Sequence, residues 1–178
     1  MPIPNYEQAM IPVLRVLAGA SPRHRRDISA LVADSFSLNE AERQQLLPSG
    51  KYPVILSRVG WALSYMKQAG LVEAPKRGVY QITDRGKQVL GDQPDGIDSE
   101  YLERFPEFRA FQARTRDSAP TLAAAETLPT AAPDPVQSPE EALEVAHSLL
   151  RATLQADILD AVKDASPSFF EDLVIDLL

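Results

Sequence analysis

The chain has 178 residues with no cysteine and two distant histidines, His24 and His147, so disulfides, thiolate chemistry and cysteine-ligated zinc are excluded and no metal site is expected. No stretch approaches the roughly 20 apolar residues of a membrane helix, and MPIPNYEQAM lacks the basic-then-apolar order of a secretory signal, so a cytoplasmic protein off the membrane is expected. The net charge of −7 conceals an asymmetry: residues 1–90 hold twelve Lys and Arg against seven Asp and Glu, while the rest hold six against eighteen, so nucleic acid stays open as a partner of the first half.

Tyr6, Met10, Val13, Leu14 and Leu17 recur at helical spacing and predict a helix over 5–18 that Gly19 ends. Pro12 removes a backbone hydrogen bond within it, which predicts a bend or a late start. Ile28, Leu31 and Val32 mark a second helix over 25–34. Asn39, with Glu42 three positions on, opens a third that ends near Leu47 and Pro48. A fourth, long helix is predicted over 53–69, with Pro53 suited to its first turn. At about 100° per residue, Ile55, Val59, Ala62, Leu63, Met66 and Ala69 share one side, and Ser57, Gly60, Trp61, Ser64 and Gln68 lie opposite or beside them. Gly70 supplies a left-handed stop. Leu71 and Val72 then begin a strand, Pro75 to Gly78 make a turn, and Val79 to Ile82 return. A last short turn from Thr83 or Asp84 carries Val89 and Leu90 to the core. Helices followed by a hairpin give the order of a winged helix-turn-helix domain, assigned to residues 1–92.

After Gly91 the character changes. Tyr101, Leu102, Phe105, Phe108 and Phe111 are too aromatic for a linker, so 93–117 is expected to be a helical extension packed on the domain. Residues 118–137, rich in Ala, Pro and Thr without a period, read as a flexible linker. Ser138, Pro139 and Glu141 provide the cap, first-turn proline and N3 carboxylate of a helix running to about residue 164. Ser166 and Pro167 open another, so 138–178 is expected to be a helical hairpin. Leu143, Ala146, Leu150, Leu154, Ile158 and Val162 form a stripe that something must cover. The acidic residues, Glu140, Glu141 and Glu144 among them, are expected to face solvent. The fold class is therefore mainly α: a winged helix-turn-helix domain with a C-terminal hairpin wing, then a linker and a C-terminal helical segment.

MIPVLRVL from Met10, LPSGKY from Leu47, RVGWALSYMKQAGLV from Arg58 and RGVYQITDRGK from Arg77 resemble the amino-terminal part of the Mrr family of restriction proteins. Similarity is weaker through FPEFRAF from Phe105 and SPSFFEDLV from Ser166. The resemblance implies a modification-dependent, type IV restriction endonuclease, with an N-terminal winged helix that recognises DNA. It also implies a C-terminal nuclease domain of the PD-(D/E)xK class that cuts methylated DNA with Mg2+ or a similar divalent metal. Residues 166–178 are similar to the opening helix of that domain. Its catalytic residues are expected beyond Leu178, so no catalytic residue, metal ligand or cofactor is assigned here, and no cutting is expected from these 178 residues.

The candidate DNA-binding residues follow from the winged-helix geometry. Ser57 and Arg58 stand near the start of the long helix, where a side chain can reach a base edge or a phosphate; Arg58 can equally pair with an acid or keep the helix soluble. Trp61 either packs semi-buried or stacks on a partner. Lys76 and Arg77 occupy the hairpin tip, where a wing meets the DNA backbone or a loop merely stays soluble. Lys51 and Tyr52 precede a helix terminus suited to phosphate, and Arg25 and Arg26 start the second helix beside Arg23 and His24. The partners expected are double-stranded, modified DNA and a second copy of the chain. The alternative is a winged-helix protein-interaction or transcriptional regulatory module that dimerises through its C-terminal helices.

Overall fold

The computed structural model describes residues 3–19, 21–117 and 137–163, with residues 169, 175 and 176. In chain order the elements are α1 (Met10–Leu17), β1 (Arg23–His24), α2 (Arg25–Ser35), α3 (Glu40–Gln44), α4 (Val54–Gln68), β2 (Val72–Lys76), β3 (Val79–Ile82), α5 (Asp84–Gly91), α6 (Ser99–Leu102), α7 (Pro106–Asp117) and α8 (Pro139–Lys163). The expected linker over 118–137 lies, apart from residue 137, outside the described residues. The second C-terminal helix lies almost entirely outside them.

Local chemistry sets the element ends. Near Pro12 the outcome is the late start: α1 begins at Met10 after a turn, so the proline falls in the first helical turn, where its missing N–H costs little. The Asn39 side chain accepts from the Glu42 N–H at 2.9 Å, and Glu42 returns the bond to Asn39 at 2.8 Å, a complete capping box for α3. Thr83 caps α5 in one direction, its hydroxyl oxygen accepting from the Gly86 N–H at 3.1 Å. Gly70 and Gly78 adopt φ of +72° and +77°, which lets the chain leave α4 and turn the hairpin without a Cβ clash.

The sheet has the order β1-β3-β2, antiparallel throughout. In the hairpin Val72 faces Ile82 and Lys76 faces Val79, with a register irregularity between Glu73 and Lys76. The short strand β1 pairs Arg23 with Tyr80 and His24 with Val79. It splits the basic run: Arg23 and His24 are strand residues, and α2 starts only at Arg25. Three helices and this sheet make a winged helix-turn-helix, with α4 in the position of the recognition helix.

One core joins these elements. Met10, Val13 and Leu14 of α1, Ile28 and Val32 of α2, Val59, Leu63 and Met66 of α4 and Leu71 are completely buried. The aromatic extension packs back onto α4 as expected. Leu102 and Phe108 are buried, and Tyr65 meets Tyr6, Trp61, Phe108 and Phe111 edge-on with ring centroids 5.5, 5.8, 5.6 and 6.3 Å away. Among the described residues no helix is long and apolar enough to cross a membrane.

Candidate nucleic-acid interface

The wing is fastened to the start of α2. The Arg25 N–H donates to the Gly78 carbonyl at 2.8 Å, which ties the hairpin turn to the first residue of the helix. The His24 Nδ1 accepts from the Arg26 N–H at 3.3 Å and caps α2. Around this junction lies a concavity of about 690 Å³ lined by His24, Arg25, Arg26, Arg77, Gly78 and Tyr80. Arg26, Lys76 and Arg77 are exposed, and none of Arg25, Arg26, Lys76 or Arg77 forms an ion pair with a described residue.

Arg25 also forms the wall of a second, smaller hollow. Its guanidinium donates to the Tyr52 hydroxyl, lies 5.7 Å from the Tyr52 ring centroid and crosses above Gly60, whose missing side chain leaves room for it. This hollow, about 290 Å³, is lined by Arg25, Tyr52, Ser57, Gly60, Trp61, Ser64 and Glu140. Small residues at positions 57, 60 and 64 of α4 make its floor because they recur at helical spacing. Trp61 is half-buried, set at a right angle to the Tyr65 ring, and lines both this hollow and another one with Phe108, Phe111 and Pro139. Lys51 is exposed on a tight loop in which Leu47 N–H reaches the Tyr52 carbonyl at 2.8 Å and Gly50 takes φ of +70°.

Arg25, Arg26, Lys76 and Arg77 thus cluster at one junction, and Tyr52, Ser57 and Trp61 line the adjoining hollow. Arg58 stands apart and requires a correction. It is 9% exposed, with Nη1 donating to the carbonyls of Ile3 at 2.7 Å and Pro4 at 3.1 Å. Its Nε and Nη2 donate to Glu141 at 3.1 and 2.8 Å. Every direction in which this guanidinium donates is occupied by protein, so it is not on an open recognition surface. Ser57 is corrected likewise: it is 3% exposed and donates to Glu140.

Of Glu140, Glu141 and Glu144, expected to face solvent, Glu141 is buried for the same reason, while Glu140 and Glu144 are half-buried. Glu141 is 7% exposed and accepts both from Arg58 and from its own cap residue, Ser138 N–H at 2.7 Å. Burial pushes its carboxyl pKa up, but the donors from Arg58 and Ser138 outweigh this and hold it below its ordinary value. The Ser-Pro-Glu-Glu start of α8 was legible as a cap, but nothing in it announces a partner in α4. Tyr80 is the lining residue that the sequence does not point to, because only the β1–β3 pairing brings it beside Arg23 and His24. Among the described residues no three His, Asp or Glu side chains converge to hold a metal ion.

Over its full length the chain aligns, at 29% identity across 183 positions, with the type IV methyl-directed restriction enzyme EcoKMrr of Escherichia coli (strain K12). It spans 59% of that relative's length. No solved structure matches it significantly. Residues 6–92, which run from Tyr6 through the wing and α5, match the Mrr N-terminal domain, and it is this part of the chain that belongs to the Mrr family.

Proposed function

We propose that this chain is the DNA-recognition part of a modification-dependent restriction endonuclease, meeting double-stranded DNA with the start of α2, the wing and the open flank of α4. The observation that carries this reading is the convergence of Arg25, Arg26 and Arg77 beside His24, with no acidic partner among the described residues. Guanidinium groups without a carboxylate partner on a concave surface suit phosphate oxygens, which accept charge-assisted hydrogen bonds from them as the DNA releases counterions. Lys76 extends the cationic surface at the hairpin tip. The hollow along α4 offers different chemistry. Tyr52, Trp61 and Ser64 present aromatic faces and a hydroxyl over a floor of small residues, where a base edge fits more closely than a phosphate.

Recognition of modified bases and metal-dependent cleavage are what a type IV methyl-directed enzyme performs, and we extend both to the whole protein of which this domain is the reader. Titration of labelled duplexes, methylated and unmethylated, at several salt concentrations tests the reading. Affinity on the order of micromolar at low salt, falling steeply with added salt, is expected. Arg26→Ala combined with Arg77→Ala should weaken every duplex alike and reduce the salt slope by roughly 2, about 0.9 for each lost phosphate contact. No binding at low salt would refute the proposal.

A further inference from the structure

Helix α8 docks by the wrong residues for a packing helix. Its apolar side chains stay open, with Leu143 71% and Leu150 59% exposed, whereas Ser138 is fully buried and Glu141 nearly so. Among the described residues, its hydrogen bonds to the body all come from its first two turns. Glu140 accepts from the Ser57 hydroxyl, Glu141 from Arg58, and Glu144 from both the N–H and the hydroxyl of Ser49, at 2.9 and 2.8 Å. All three partners lie in residues 49–58, the loop leading into α4 and its first turns. A hydroxyl, a backbone N–H and a guanidinium at the start of a recognition helix are the donors that elsewhere hold phosphate oxygens. Here carboxylate oxygens take those places, and Glu140 also reaches the hollow bounded by Arg25, Tyr52 and Trp61.

We propose that the first two turns of α8 are an acidic cap on the DNA face of α4, which duplex DNA displaces in order to bind. The proposal rests on the DNA-binding reading of this surface. It explains why the buried residue of α8 is a glutamate and not a leucine: a carboxylate competes for donors that DNA also uses, which an apolar contact cannot do. While docked, the cap removes Ser49, Ser57 and Arg58 from DNA and places negative charge where the backbone approaches. Only the uncapped fraction is competent, so the observed affinity is lowered by that fraction. Capping also neutralises donors in advance, so fewer counterions are exchanged on binding and the salt slope is shallower than for an uncapped chain.

Two variants of the full chain test this with a short fluorescein-labelled duplex. Glu140→Gln with Glu144→Gln removes two cap charges and leaves the Arg58–Glu141 pair in place, so the fold is retained. It should bind about tenfold more tightly, equivalent to ~1.4 kcal/mol, with a steeper salt dependence. Because the chain has no cysteine, Ser49→Cys with Glu144→Cys places a single thiol pair across the cap, bridged by a short reducible thiol crosslinker. The bridged form should bind about tenfold more weakly than the same protein after reduction. Equal affinity of bridged and reduced forms, or no gain in the double Gln variant, overturns the cap. Failure of every form, reduced and unbridged included, to bind duplex at low salt overturns the DNA-binding reading itself.

Discussion

The winged-helix body and helix α8 use the same amino acids in opposite ways. In the body, leucine and methionine at helical spacing disappear from solvent, and charges other than Arg58 stay outside. In α8 the leucines of the expected stripe, Leu143, Leu150 and Leu154, together with Ile158, remain more than half exposed, while Glu141 is buried against Arg58. The contrast separates two ways of holding a helix. Apolar burial is non-directional and cumulative, so the body is secured at many points. Polar docking depends on a few donor–acceptor geometries, so α8 is secured at one end and responds to pH and competing anions.

The sharpest way to break this comparison is to truncate one leucine in each region. Leu14→Ala is expected to cost about 2–5 kcal/mol in thermal or urea unfolding, because Leu14 is completely buried in the body. Leu154→Ala, at 54% exposure, should stay within about 0.5 kcal/mol. Equal losses would mean that α8 shares the core.

Next in size is Gly86→Ala. A Cβ there would lie 2.1 Å from the Leu71 carbonyl oxygen, a backbone atom that can move only if the α4–β2 junction moves. Roughly 3 kcal/mol is expected, the upper end for overpacking, seen as a melting temperature lowered by about 10 °C or more. A melting temperature close to the parent's would show the junction to be pliable.

Arg58 is where the two regions meet. Arg58→Ala leaves the carbonyls of Ile3 and Pro4 without their donor and should cost about 2 kcal/mol. Glu141 loses its partner but can escape to water by undocking, which limits the penalty. The same joint should loosen in acid. The folded-state pKa of Glu141 is depressed, so its stabilising contribution is complete above its ordinary value of 4.5 and is lost as pH falls through the lower folded value. Trp61, the single tryptophan, lies beside Pro139 and Glu140, so its emission should change in that window before the body unfolds. Emission and unfolding that change together would argue against a separately releasable cap.

A smaller loss than that of Arg58→Ala is expected from Asn39→Ala, which removes one half of the α3 capping box at an exposed site. About 1 kcal/mol is expected by urea unfolding, with no change in the Trp61 signal of the folded protein. A much larger loss would make α3 a part of the core scaffold.

The sequence by itself determined the elements and most of their ends. The 3.6-residue period of α4, the Asn39–Glu42 and Ser138–Glu141 capping boxes and the left-handed glycines at 70 and 78 are all local devices, complete within a few residues. It also placed Arg25, Arg26, Lys76 and Arg77 at the two segments that a winged helix brings together. Tertiary structure alone decided that Arg23 and His24 form a strand, because β1 exists only through its pairing with β3, more than fifty residues later. It alone also decided which flank of α4 is open. Helical periodicity assigns Arg58 to the edge of an apolar face, but an edge residue is exposed or buried according to what lies against it. Here that neighbour is Glu141, 83 residues away. Whether a charge there is solvated or paired is a matter of long-range desolvation and hydrogen bonding, which no local pattern encodes.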